Sequence, residues 1–93
     1  MISIEYRWTA NRDIYRIRTY YEGISEKTWK TVSDDIQDSL SFLQRSPKGG
    51  MKLSSKGKVR RTVTSKYNYS ITYIPHPTKI EIIGVFRGQD RRV

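Results

Sequence analysis

The sequence predicts an α+β domain of order β-α-α-β-β-β, in which an N-terminal strand and a helical hairpin pack on a curved, mainly antiparallel sheet. Three observations carry this prediction. The opening run has a period of two, two amphipathic stripes with spacings of three and four follow it, and after the Pro47–Gly50 break only strand-like runs remain.

The opening "ISIEYRW" puts Ile2, Ile4, Tyr6 and Trp8 on one face and Ser3, Glu5 and Arg7 on the other, as in a half-buried strand. Thr9 is the expected N-cap of a first helix over 10–22, with Asp13 in its first turn and Ile14, Ile17, Tyr21 and Ile24 as its apolar stripe. Gly23 is expected to end that helix in a left-handed conformation and Ser25 to cap the next, which leaves room only for an antiparallel hairpin. Trp29, Val32, Ile36, Leu40 and Leu43 form the second stripe, which packing on the first helix and a sheet explains; "RSPKGG" then breaks the helix.

"MKLSSKGK" reads as a basic loop or a short irregular strand. "VRRTVTSKYNYSITYI" reads as two strands about a turn near Ser65 and Lys66, with Tyr67, Tyr69, Ile71 and Tyr73 on one face of the second. The prolines of "PHPT" make the next turn. Ile80, Ile82, Ile83, Val85 and Phe86 then give the last strand apolar residues on both faces, which predicts a central position covered on each side.

Ninety-three residues are expected to form a single domain, 1–93, with one core. There is no cysteine and only one histidine, His76, so disulfides and thiolate metal sites are excluded and neither a metal nor a cofactor is expected. No apolar run approaches the length of a membrane span, and "MISIEYRW" lacks the order of a signal peptide. The expectation is a soluble, cytoplasmic protein without a membrane partner.

Charge is the most informative feature of the composition. The chain carries a net +9, yet residues 1–38 are net −1 and residues 39–93 net +10, with no acid between Asp38 and Glu81. Such self-repulsion on a small fold points to a polyanionic or acidic partner.

The stretches "TANRDIYRIRTYYEGIS", "SLSFLQRSPKGG", "VRRTVTSKYNYSITYI" and "IEIIGVFRGQD" together resemble the RelE/ParE superfamily of bacterial toxins from type II toxin-antitoxin systems, and the resemblance spans almost the whole chain. It is closer to the ParE branch, through Ala10 to Asp13, the Pro and Gly that end the second helix, the double arginine Arg60 and Arg61, and the basic tail from Phe86 to Asp90. Many relatives carry a histidine just before the tail glycine, where this chain has Arg87. The resemblance implies a growth-arresting toxin held by a cognate acidic antitoxin, with DNA gyrase the usual target of the ParE branch and mRNA in the ribosome that of RelE-like members.

The two activities ask different things of the residues. RNA cleavage by the 2′-hydroxyl needs a base, an acid and cations around the phosphate. Lys52, Lys58, Arg61, Tyr67 and Arg87 are the candidates, and a general base is hard to name among them. A non-enzymatic gyrase inhibitor needs only a rigid basic surface, for which Arg60, Arg87, Arg91 and Arg92 are the target-binding candidates. Antitoxin binding is expected at Trp29, Arg60, Arg61, Phe86 and Arg87, because a basic half with a sheet edge suits an acidic segment that folds on binding.

Overall fold

The computed structural model describes residues 2–87. Strand β1 (Ser3–Tyr6) is followed by α1 (Trp8–Glu22), α2 (Glu26–Arg45), β2 (Met51–Lys52), β3 (Arg60–Val63), β4 (Tyr69–Pro75) and β5 (Lys79–Arg87). The strands form one sheet in the order β1-β5-β4-β3-β2, with β1 parallel to β5 and every other pair antiparallel. The expected order therefore holds, and the basic stretch after the break supplies one extra, two-residue edge strand. Among the described residues no helix is long and apolar enough to cross a membrane, and no group of three or more metal-ligating side chains occurs.

The core is one cluster. Ile17 and Tyr21 of α1 meet Val32, Ile36, Leu40 and Leu43 of α2 over Ile71, Tyr73, Ile80, Ile82 and Val85 of the sheet, with Ala10 filling the tight start of α1. Each large aliphatic side chain so buried contributes roughly 1.5–3 kcal/mol. Ile24, expected in the α1 stripe, lies beyond the helix and is 60% exposed.

Where the helices start and stop differs from the expectation in instructive ways. Alternation in β1 ends at Tyr6, because the Arg7 amide donates to Ile82 O (2.9 Å) and the chain then winds into α1 at Trp8. Trp8 is consequently a helix residue, 71% exposed, with the Arg12 guanidinium 5.1 Å from its ring. Arg7, not Thr9, occupies the N-cap position, and it makes no side-chain capping bond. Gly23 is right-handed (φ −63°) instead of left-handed, since the amides of Gly23, Ile24 and Ser25 all find carbonyls in the last turn of α1. Ser25 caps α2 as expected, its Oγ accepting from the Thr28 amide at 3.0 Å.

Thr9 and Asp13 do something other than cap or complement the helix dipole. Once β1 leaves the sheet at Tyr6, the edge of β5 would be left without backbone partners, which is costly where water is excluded. Thr9 Oγ1 donates to Ile83 O (2.6 Å), and Oδ2 of the buried Asp13 accepts from the Val85 amide (3.0 Å). Four helical residues rise about 6 Å and two strand residues about 6.6 Å, so side chains at i and i+4 of α1 keep step with every second residue of β5. The helix thereby extends the hydrogen bonding of the strand it replaces.

A bulge in β5 fixes which side chains meet the helices. Tyr73 pairs with Ile82 and Thr72 with Gly84, so Ile83 has no opposite number on β4. Past this extra residue the alternation inverts, and Val85 and Arg87 join Ile80 and Ile82 on the helix-bearing face while Phe86 moves to the other. The run of apolar residues that predicts a two-faced strand is thus partly the sequence of a bulged one. It is an interior strand, as expected, but the helices cover one of its faces and not both, and Ile83 and Phe86 on the other are half-buried.

The β3–β4 connection falls at the expected turn, with Asn68 in the left-handed region (φ 57°), which asparagine tolerates well. Tyr67 accordingly lies in the turn and not in the strand. Asp35 of α2, 3% exposed, accepts from the Lys66 and Tyr67 amides, and Thr64 Oγ1 accepts from the Tyr69 amide.

Candidate interaction surfaces

The expected site residues fall into four places on this frame. The first is the end of β5. Arg87 Nη2 donates to the Tyr21 hydroxyl at 2.9 Å, and its guanidinium stands 5.3 Å from the centroid of the Tyr69 ring. The Tyr69 hydroxyl also donates to that of Tyr21 (3.4 Å). Burial, followed by the Tyr21 hydroxyl, pushes the Tyr69 phenol well above its ordinary value in spite of Arg87 nearby. Arg16, Tyr20, Tyr21, Tyr69, Phe86 and Arg87 border a hollow of about 350 Å³ here. The Tyr67 ring packs edge-on against Tyr21, with 6.1 Å between centroids.

The second place is the far end of β3, four residues along β4 from Tyr69, or about 13 Å. Lys52 and Arg60 are register partners, and with Lys48 and Lys58 they line a hollow of about 210 Å³. Arg60 is not a free cation: its Nη1 donates to Gly50 O (2.8 Å) and Lys48 O (3.1 Å), tying β3 to the loop after α2.

The third is the sheet face turned away from the helices. Pairing places Arg61 beside Thr72 and Met51, and Phe86 beside Ser70, all on this face with the half-exposed Val63. Arg61 Nε is buried and has no hydrogen-bond partner among the described residues, in keeping with a stem laid along apolar neighbours. The fourth is the hairpin groove, where the half-buried Trp29 lies with Tyr6, Ile14, Ile36 and Leu40 around a hollow of about 250 Å³.

Arg91 and Arg92 lie outside the described residues. The five residues expected of an RNA-cleaving site do not converge: Lys52 and Lys58 share one hollow, Tyr67 and Arg87 gather around Tyr21, and Arg61 is on the opposite face. Tyr21, which the sequence presents only as a core residue, is the hub that orients Arg87. Its hydroxyl bonds two residues far away in the chain, Tyr69 and Arg87, and helical spacing alone carries no trace of either.

Neither a family model nor a curated protein sequence matches the chain. Among solved structures, a chain described as "Chromosomal ParDE TA system from P. aeruginosa" superposes with a TM-score of 0.75 at 24% identity, over 96% of this chain and 98% of that one. The fold is ParE-like. Two helices on a five-stranded mixed sheet, in this order, agree with the architecture that the resemblance implies. On this ParE-like frame the β5 end and the outer sheet face display Arg87, Arg61 and Phe86. Trp29 and Arg60 sit apart from them, so the expected antitoxin-binding residues span a large part of the surface.

Proposed function

We propose that the chain is the toxin of a type II toxin-antitoxin system, a ParE-like inhibitor that binds DNA gyrase and is neutralised in the cytoplasm by an acidic antitoxin. The observation that carries this reading is the likeness in fold to a chain of a ParDE system over 96% of this chain and 98% of that one. The charge distribution agrees with it: a half with net +10 suits a complex of protein and DNA, and equally an acidic partner that keeps it from that complex.

In this reading inhibition is by binding. Arg87, oriented by Tyr21, is the described residue that meets gyrase or its DNA, with Arg91 and Arg92 beyond it in the sequence. An antitoxin segment long enough to run from the Trp29 groove to the outer sheet face would cover Arg61 and Phe86 and mask the same end. The separation of Lys52, Lys58, Arg61, Tyr67 and Arg87 favours this over ribosome-dependent RNA cleavage, which needs its groups within reach of one phosphate. The test sets gyrase supercoiling and DNA-cleavage assays beside a ribosome-programmed mRNA cleavage assay. Inhibited supercoiling with intact mRNA supports the proposal; cut mRNA with unaffected gyrase overturns it.

A further inference from the structure

We propose that the hollow lined by Lys48, Lys52, Lys58 and Arg60 is a binding site for a phosphate group. The inference does not depend on the toxin reading. Its ground is a concentration of one sign of charge in a formed recess: four cations border about 210 Å³, several times the roughly 30 Å³ that one water occupies in the liquid. Gly57 and the Pro75 ring supply the remaining walls and bring no acceptor side chain.

The recess is held in shape by its own hydrogen bonds. Arg60 Nη1 is anchored on the carbonyls of Lys48 and Gly50, which leaves its other nitrogens as donors while fixing the loop that carries Lys48. Lys52 stands in register with Arg60 on β2, and its Nζ reaches Ser55 O at 3.4 Å. The Gly57 amide donates to Ser54 Oγ (2.8 Å), a local turn that sets Lys58 beside the others. Loop and strand thus bring together cations that are up to twelve residues apart in sequence.

Among the described residues nothing acidic answers them. None of these four cations has a carboxylate partner among the ion pairs of the described residues. Glu81 pairs with Ile74, on the other face of the sheet from Tyr73 and Arg60, and is engaged by Arg7 and His76. Four like charges around one hollow repel each other, and a tetrahedral anion with several acceptor oxygens relieves that repulsion while taking the free ammonium and guanidinium donors. The guanidinium offers paired donors to phosphate oxygens, and the lysines act as point charges around it.

Two sources could supply the group, a free phosphate compound or the backbone of duplex DNA, and one experiment with two arms separates them. The amide spectrum of the ¹⁵N-labelled full chain is followed as inorganic pyrophosphate is added. Duplex DNA binding is measured in parallel over a series of salt concentrations. Each arm is run on the wild type, on Lys48→Gln/Lys58→Gln, and on a control that removes the same charge from the exposed face of α2, Lys27→Gln/Lys30→Gln. Unchanged dispersion of the spectra shows that all three are folded.

The expected result is that pyrophosphate shifts amides within 48–60, that the hollow variant binds it at least tenfold more weakly, and that the control binds as the wild type does. If DNA is the source, the hollow variant lowers the salt slope by about two, one for each phosphate no longer neutralised, and the control does not. A weakening in either arm that is confined to the hollow variant supports the site and names its source. Equal weakening in the two variants, shifts scattered over the whole chain, or no response in either arm would overturn it.

Discussion

The amide of Tyr67 donates to Oδ2 of Asp35 at 2.8 Å, while Oδ1 takes the Lys66 amide at 3.1 Å, so one buried carboxylate on α2 holds the turn between β3 and β4. Replacing Asp35 with alanine strands two amides and should cost about 2–3 kcal/mol, read as a lower urea midpoint at pH 7. The acid dependence has a definite sign. Burial raises the Asp35 pKa, but the Tyr67 amide, the Thr64 hydroxyl, and the amide and charge of Lys66 outweigh it and hold the carboxyl below its ordinary value. A depressed folded pKa contributes stability that is fully present above the unfolded value of about 3.9 and is lost as pH falls through the folded one. The gap between wild type and Asp35→Ala should therefore narrow below about pH 4; a gap that stays constant down to about pH 2 would show that the carboxylate charge contributes nothing.

Gly50 and Tyr73 test the far end of the sheet. The Gly50 amide donates to the Tyr73 hydroxyl at 2.9 Å, and Tyr73 is fully buried. A Cβ at Gly50 would meet Tyr73 Oη at 2.5 Å and the backbone oxygen of Arg61 at 2.7 Å. Gly50→Ala should thus cost about 1–3 kcal/mol through overpacking, and Tyr73→Phe about 1–2 kcal/mol through the unsatisfied amide. Because both act on one contact, the double variant should be destabilised by less than the sum of the two, which a double-mutant cycle by chemical denaturation measures.

The parts of this structure that were legible in the sequence are those written in local periodicity. The stripe Val32, Ile36, Leu40, Leu43 and the Ser25 cap are local, and both appear as expected. Thr9 and Asp13 were misleading because their residue types suit a helix start, whereas their partners, Ile83 and Val85, are more than seventy residues away. The bulge at Ile83 is invisible for a related reason: an extra residue inverts alternation without changing composition, so a strand with one covered face reads as one with two. Among the candidate site residues, the clustering of cations was legible, and strand alternation alone sends the adjacent Arg60 and Arg61 to opposite faces, as observed. The partners that fix Arg60 and Arg87, the carbonyls of Lys48 and Gly50 and the Tyr21 hydroxyl, were not legible, because they lie far from them in the chain.

The contacts of Thr9 and Asp13 with β5 predict a local opening. Asp13→Ala should cost about 1–3 kcal/mol and Thr9→Val about 0.5–1.5 kcal/mol, since each leaves a backbone group of β5 without its partner. Amide exchange distinguishes this from a general drop in stability. The Val85 amide should become less protected in Asp13→Ala by much more than the amide of Ile71 on the neighbouring strand, and a uniform decrease across β4 and β5 would contradict the role assigned to Asp13.

Arg60 and Arg87 should differ in how much the fold depends on them. Arg60 donates to two carbonyls of the loop after α2, so Arg60→Ala should lower stability by about 1–2 kcal/mol. Arg87 is exposed, its guanidinium held by the Tyr21 hydroxyl and the Tyr69 ring, and its removal should change stability by less than about 1 kcal/mol. If Arg87 meets gyrase or its DNA, Arg87→Ala should raise the concentration needed for half-inhibition of supercoiling about tenfold, equivalent to about 1.4 kcal/mol of binding. Tyr21→Phe keeps the guanidinium but removes the oxygen that orients it, so an intermediate effect is expected. Full inhibition by Arg87→Ala, with the fold intact by circular dichroism, would move the target surface away from the end of β5.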